Sequence, residues 1–335
     1  MKKVLIYIFI IILLCFCIPI IFTNKFNRTE ETGANVEEPQ KEVPAVSTYD
    51  YKEYNTIKLL HADTGEIEEL NLDEYLYGVV SAEMPADFEL EALKAQAIVA
   101  RTYTMYKIIN GEKHEEADIC DNSACCQAWI SKENRMARWD EDVRDSNWNK
   151  IVTAVNDTQG RIITYNGEPI NAFFHSNSGG FTEIPINVWG GSGYDYLQVV
   201  ETSGEDEYSQ YSSEAEFTKD ELIQKMLENY SDFEIDFNQE NPIQILEYTD
   251  SKRVKTVKIG NKNISGVEAR KIFGLRSSNF SVSVIDDKIK FEVIGYGHGV
   301  GLSQTGSDSL AKQGYSVDDI INHFYKNIQI INYEK

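Results

Sequence analysis

Glu83 carries the first sign of chemistry in the chain. It closes a short helical pattern of apolar residues, Tyr75, Leu76, Val79 and Val80, and Met84-Pro85 follows at once. The residue before a proline avoids the helical region, so the helix should stop there. The negative end of a helix dipole and the apolar neighbours Ala82 and Met84 both favour a protonated carboxyl. A carboxyl that keeps its proton near neutral pH is what a general acid requires. The competing reading is an ordinary exposed glutamate at a helix end, and the local sequence alone favours it.

A second group is His114, Cys120, Cys125 and Cys126. Zinc takes four N or S ligands tetrahedrally, and one imidazole with three thiolates matches that set. Adjacent cysteines can share one metal only if the backbone turns sharply between them. The rival is one disulfide with one thiol left over, which an oxidising exterior favours. Three cysteines in one exported body cannot all pair within it.

Two further stretches are rich in hydrogen-bonding groups. Phe174-His175-Ser176-Asn177-Ser178-Gly179-Gly180 puts hydroxyls and backbone amides at a Gly-Gly turn, which suits a polar ligand. It reads equally as a polar strand end feeding a turn. Gly295-Tyr296-Gly297-His298-Gly299-Val300-Gly301-Leu302-Ser303-Gln304 alternates glycines, which lets the backbone approach another surface closely. It lacks the strand-to-helix lysine of a phosphate loop. His298 would either orient a catalytic group or satisfy the carbonyls of its own loop.

The elements that must position these residues follow from periodicity and punctuation. Residues 57–63 and 66–70 alternate around Gly65, as a hairpin does. Asp73 is placed to cap the helix that ends at Glu83. Asp87 offers a cap for a long, alanine-rich helix that ends at Asn110-Gly111. Another helix runs from Ser146 to before Gly160, and Asn166-Gly167 joins two strands. Within residues 201–292, Thr218 with Glu221 marks a helix start, strands lie near 243–248 and 254–259, and Asp286-Asp287 turns a hairpin. Helices near 305–312 and 317–325 close the chain. The expected fold is α+β: a main domain of residues 51–200 and 293–335, with residues 201–292 inserted as a smaller α/β lobe.

Composition restricts the partners and the compartment. The 335 residues hold 54 acidic against 32 basic side chains, a formal charge of -22. A phosphate backbone would repel such a chain, which argues against non-specific nucleic-acid binding. Hydrophobic residues at 42% suffice for a folded body. Residues 4–22 carry no charge and reach the roughly 20 residues that span a bilayer. No Ala-x-Ala-like cleavage site follows, and Leu14 before Cys15 does not suit a lipoprotein box, so residues 1–22 are expected to be an uncleaved transmembrane anchor. Residues 23–50, rich in Glu, Asn, Thr and Pro, read as a flexible linker to a body outside the cytoplasmic membrane.

Several blocks in order resemble the signature of the stage II sporulation protein D family. They are Ser81-Ala82-Glu83-Met84-Pro85, Glu91 to Ala97, Ala100-Arg101-Thr102-Tyr103, Ser176-x-Ser178-Gly179-Gly180-x-Thr182, Val188-Trp189-Gly190-Gly191 and Gly297 to Gln304. The resemblance covers about residues 54–333. It implies a membrane-anchored lytic transglycosylase that cuts peptidoglycan glycan strands during spore engulfment, and its catalytic glutamate falls on Glu83. The body would lie on the extracytoplasmic side, in the space between the engulfing membranes. The resemblance also implies a zinc site in the His114 to Cys126 region, probed there by a pattern in which histidine often stands where this chain has Cys125. It further implies an engulfment complex with stage II sporulation proteins P and M.

Under that reading Glu83 would serve alone as acid and then base, with the substrate's own hydroxyl as nucleophile. Arg101, Ser176, Ser178, His298, Ser303 and Gln304 are the candidates for holding sugar hydroxyls and amides. Two other classes compete. One is a non-catalytic glycan-binding or amidase-activating module. The other is a zinc hydrolase of the stem peptide, which needs an open metal position that four protein ligands would close.

Overall fold

Alternation builds the first hairpin. The computed structural model describes residues 51–111 and 114–333. In β1 (Thr56–Leu60), Ile57 and Leu59 are fully buried while their neighbours face outward. The strand pairs antiparallel with β2 (Ile67–Asn71), and β3 (Ile119–Cys120) joins its other side in parallel. The helix α1 (Leu72–Glu83) follows directly. Its cap is Asn71, whose side chain accepts the Asp73 amide at 3.0 Å. This corrects the expected cap at Asp73, whose carboxylate instead pairs with Arg101 at 3.0 Å.

α2 (Leu90–Asn110) is the central helix. Ala92, Ala95, Ala97 and Ala100 are all fully buried, small enough for neighbours to approach on several sides. Gly111 takes φ 50° and closes the helix, as expected of glycine there. At the other end the structure departs from the Asp87 expectation. The cap position is Glu89, which has no side-chain cap, and its amide donates to Asp308 at 2.6 Å. A carboxylate 219 residues away thus replaces the local cap.

The chain continues through α3 (Lys132–Met136) and α4 (Arg144–Asn156) to the β4 (Arg161–Tyr165) and β5 (Glu168–Pro169) hairpin. Asn166 and Gly167 both take positive φ in its turn, as Asn-Gly predicts. β6 (Phe174–His175) and α5 (Pro185–Val188) come next. The segment from β7 (Ser212–Thr218) runs through α6 (Lys219–Leu227), β8 (Ile243–Tyr248), β9 (Val254–Ile259), β10 (Lys262–Ser265), α7 (Gly266–Phe273) and β11 (Phe280–Ile285) to β12 (Lys288–Ile294). β7 and β12 pair antiparallel along their full length, so the two ends of this segment meet. Thr218 and Glu221 form the expected capping box. β13 (Leu302–Ser303), α8 (Gln304–Lys312), α9 (Val317–Phe324) and β14 (Gln329–Asn332) complete the chain.

The fold is α+β, built on several small sheets rather than one. Hydrophobic burial forms two clusters. One gathers residues from 51–200 and 300–325 around α1 and α2, among them Tyr75, Leu76, Ile98 and Phe324. The other lies within 222–293, around Leu222, Val257, Phe273 and Phe291. Among the described residues no helix is long and apolar enough to cross a membrane. The expected anchor (1–22) and linker (23–50) lie outside the described residues.

Candidate active site

Glu83 is the last residue of α1, where Pro85 stops the helix, and its side chain is half-buried. Its Oε1 accepts the Ala128 amide at 2.6 Å, and its Oε2 accepts the Gln304 side-chain amide at 3.3 Å. Burial pushes the carboxyl above the ordinary carboxylate range, and these two hydrogen bonds offset only part of that. The group therefore holds its proton more tightly than an exposed carboxyl does, while its orientation is fixed from two sides.

Two recesses meet at this carboxyl. One, of about 570 Å³, runs past Pro85, Phe88, Arg135, Trp139 and Asn147. The other, of about 830 Å³, runs past Tyr103, Trp189, Arg270, Tyr296 and His298. Glu83, Ser176 and Gln304 border both. Trp189 is 52% exposed and Tyr296 43%, so neither of these lining rings is spent in the core.

His298 stands against Trp189, with ring centroids 4.9 Å apart. Its Nδ1 accepts the Val300 amide at 3.0 Å, which puts the ring proton on Nε2. Burial, and then the positive groups around it, hold it well below the ordinary histidine range, so it is neutral. His175 behaves likewise: burial, followed by the charge of Arg253, pushes it down to about 3, and its Nδ1 donates to the Val300 carbonyl at 3.1 Å. Neither imidazole is available as an acid near neutral pH.

Ser176, His298 and Gln304 thus share the cleft with Glu83. Arg101, Ser178 and Ser303 do not, and their expected contact with sugar is corrected. Arg101 is fully buried, held by Asp73 and by the carbonyls of Val155 and Thr158. It ties α2 to α1 and α4. Ser178 and Ser303 are fully buried and both donate to Glu205.

Glu205 is a residue the sequence reading missed. Its carboxylate accepts from the hydroxyls of Ser178, Thr202, Ser303 and Thr305 and from the amides of Ser178 and Gly180. It locks the Gly-Gly turn to the start of α8, on both sides of Gln304. Arg253 was also missed. It is buried, donates to the carbonyls of Ser178 and Phe181 at 2.7 and 2.8 Å, and lies where a Cβ on Gly299 would collide with it. Gly299 also has φ 83°, so glycine is required there on both counts.

The cysteine and histidine cluster lies on the loop that supplies Ala128. The amides of Cys125 and Cys126 both donate to the Asn122 carbonyl, at 2.9 and 2.8 Å, and this tight turn brings adjacent sulfurs to one point. His114 Nε2 lies 3.5 Å from the Cys126 sulfur and 3.9 Å from the Cys125 sulfur. The four donor atoms, with that of Cys120, all fall within 4.8 Å of one another. Tetrahedral zinc requires about 3.8 Å between sulfurs and about 3.6 Å between nitrogen and sulfur. The Cys125 and Cys126 sulfurs are 3.9 Å apart, near that value, and the four donors together spread to 4.8 Å, so the set suits zinc in ligand type and number. None of the three cysteines is in a disulfide. Gln127 then fixes the loop by donating to the Tyr75 and Thr104 hydroxyls at 2.7 and 3.0 Å.

Comparison with known proteins bears on the family of the chain. A family model described as "Stage II sporulation protein" matches residues 61–165, the span from the turn after β1 through Glu83 and the cysteine loop to β4. Stage II sporulation protein D of Bacillus subtilis (strain 168) is 33% identical, over 98% of this chain and 96% of that protein. Stage II sporulation protein D of Bacillus amyloliquefaciens is 33% identical over 82% of this chain and 78% of that protein. An amidase enhancer of Bacillus subtilis (strain 168) is 27% identical over 77% of this chain and 40% of that protein. With a relative 33% identical over 98% of its length, this chain belongs to the stage II sporulation protein D family.

Proposed function

We propose that this protein is a peptidoglycan lytic transglycosylase of endospore engulfment, cutting between N-acetylmuramic acid and N-acetylglucosamine. The observation that carries the reading is Glu83: a carboxyl whose proton is held more tightly than usual, at the junction of two recesses of a size to take a sugar on either side. Among the described residues lining those recesses, the other carboxylate is Asp87, which is exposed. Hydrolytic glycosidases use a facing pair of carboxyl groups. A single one suffices when the nucleophile belongs to the substrate.

In this mechanism Glu83 gives its proton to the glycosidic oxygen as the bond to muramyl C1 breaks. The resulting carboxylate takes the proton of the C6 hydroxyl, whose oxygen closes onto C1 as a 1,6-anhydro ring. The proton on Glu83 is restored and no water is consumed. The intramolecular nucleophile gains from proximity. Ala128 and Gln304 hold the carboxylate in line through both steps. Ser176 holds the sugars through hydrogen bonds, and the rings of Trp139 and Trp189 hold them through stacked faces, with His298 backing the Trp189 ring. Zinc on His114, Cys120, Cys125 and Cys126 would supply structural order to the loop that presents Ala128.

The sporulation family and the similarity to an amidase enhancer support a cell-wall role. We place the protein at the cell membrane, anchored by residues 1–22 with its body on the outer side, in an assembly with stage II sporulation proteins P and M. The amidase-enhancer likeness also supports a second reading, a glycan-binding module that stimulates a partner amidase without cutting. Purified glycan strands digested with the full chain and with its Glu83→Gln variant separate the two. Transglycosylation yields anhydromuramyl ends, and the variant loses roughly 10²–10⁴-fold in their rate. Strands that are bound but left uncut by both proteins favour the module.

A further inference from the structure

Among the described residues, Arg135 is a cation without a counter-ion in the wall of the cleft. Acidic side chains outnumber basic ones 54 to 32, so a basic group in this chain has many possible partners. Lys94, Arg101, Arg161 and Lys262 each have a carboxylate beside them. Arg138, Arg144, Arg253, Arg270 and Arg276 do not, but of these only Arg270 lines a recess at Glu83, and its Nε donates to the Leu275 carbonyl. No ion pair among the described residues includes Arg135. Its Nε is buried and meets no hydrogen-bond partner. It is half-buried and lines the same recess as Glu83. Its guanidinium lies over the Trp139 ring, 4.7 Å from the centroid.

These features are unfavourable in the free protein and favourable for a ligand. Burial, and the nearby charge of Arg138, both work against the Arg135 cation. Removing a guanidinium from water without an anion costs stability unless something else compensates. Contact with the Trp139 ring restrains the group while no protein carboxylate directs its donors. A planar guanidinium is suited to two parallel hydrogen bonds with a carboxylate.

We propose that Arg135 binds a carboxylate of the substrate and so makes the cleft selective for an anionic muramyl unit next to the cut. This rests on the glycan reading given above. Each muramyl residue carries a lactyl group whose carboxylate is free where the stem peptide has been removed and amidated where it remains. A peptide-bearing strand instead offers the carboxylates of the peptide itself. Both sources present the same chemistry to Arg135.

The test uses the full chain with Arg135→Gln and Arg135→Lys, on peptide-bearing strands, peptide-stripped strands, and stripped strands whose lactyl carboxylates have been converted to amides. For the preferred strand, Arg135→Gln should raise KM roughly 10–100-fold, the worth of a charge-assisted hydrogen bond, with kcat nearly unchanged. Arg135→Lys should recover part of the loss. If the lactyl carboxylate is the ligand, the wild type prefers stripped strands and amidation removes the preference. If a peptide carboxylate is the ligand, the wild type prefers peptide-bearing strands. In both cases Arg135→Gln should be indifferent to the change that weakens the wild type. Equal losses by wild type and Arg135→Gln on amidated strands, with no preference for peptide-bearing ones, overturn the proposal. Strand binding measured in the Glu83→Gln background keeps the two readings apart. Carboxylate-dependent binding that Arg135→Gln abolishes supports the role of Arg135 even if no form cleaves, and that second result would count against the transglycosylase alone.

Discussion

The Ala128 amide reaches Glu83 across 45 residues of sequence and donates to its carboxylate at 2.6 Å. The end of α1 is therefore oriented by a loop that α1 does not contain. That loop carries Cys120, Cys125 and Cys126, and Gln127 pins it to Tyr75 on α1 and Thr104 on α2. Gln304 completes the arrangement from α8, and Glu205 grips the residues on both sides of Gln304. The acid is thus held by three segments far apart in the chain.

Glu83 should weaken the fold at neutral pH. Its carboxyl lies above the ordinary range in the folded protein, so the native state binds the proton more tightly than the unfolded chain. The benefit of that proton is full below the unfolded value of about 4.3 and is lost as pH rises through the folded value. Glu83→Gln, which removes the charge, should therefore unfold later at pH 7, by about 1 kcal/mol or 2–4 °C. Calorimetry should find that gain at pH 7 and much less of it at pH 4. A lower Tm at pH 7 would show the charged carboxylate to be stabilising.

Glu205 should behave in the opposite sense. Burial would raise its carboxyl, but hydrogen bonds from Ser178, Ser303 and Thr202 outweigh that and hold it below the ordinary range. Its contribution is present above the unfolded value of about 4.3 and disappears as pH falls through the folded value. Glu205→Ala leaves buried hydroxyls and amides unsatisfied and should cost about 3–5 kcal/mol at pH 7. The difference from wild type should narrow on acidification below pH 4. Denaturant unfolding across that range checks both the size and the slope.

Zinc, if it occupies the cysteine cluster, should act on Glu83 through Ala128. Cys120→Ser and Cys126→Ser should lower zinc content and thermal stability together, because three thiolates and one imidazole form a closed set. Cys125→His should keep the metal, since imidazole is an equivalent ligand type. Removing zinc with a chelator should lower strand cleavage as well as Tm. Elemental analysis and thiol counting on fresh protein decide the matter: no zinc, with two of the three thiols blocked, would support the disulfide instead.

Local signals carried the sequence reading where the cause was local. Pro85 and the spacing of Tyr75, Leu76 and Val79 located the end of α1, and Asn166-Gly167 located its hairpin. Strands β3, β5, β6 and β13 have only two residues each, too few to show alternation. Asp308 could not be foreseen as the partner of Glu89, nor Glu205 as the partner of Ser303, because those pairs lie 219 and 98 residues apart. Arg101, Ser178 and Ser303 misled for a related reason. A polar residue in a motif looks the same whether it faces a ligand or holds the core beneath one. The cysteine cluster was legible because ligand type and number were visible in the sequence, and only the turn at Asn122 was needed to bring the sulfurs together.

Digestion of purified glycan strands in oxygen-18 water tests the central claim most directly. If Glu83 directs the C6 hydroxyl onto C1, the new muramyl ends are 1,6-anhydro and carry no heavy oxygen by mass spectrometry. Reducing muramyl ends labelled with oxygen-18 would mean that water is the nucleophile and that the protein is a hydrolase.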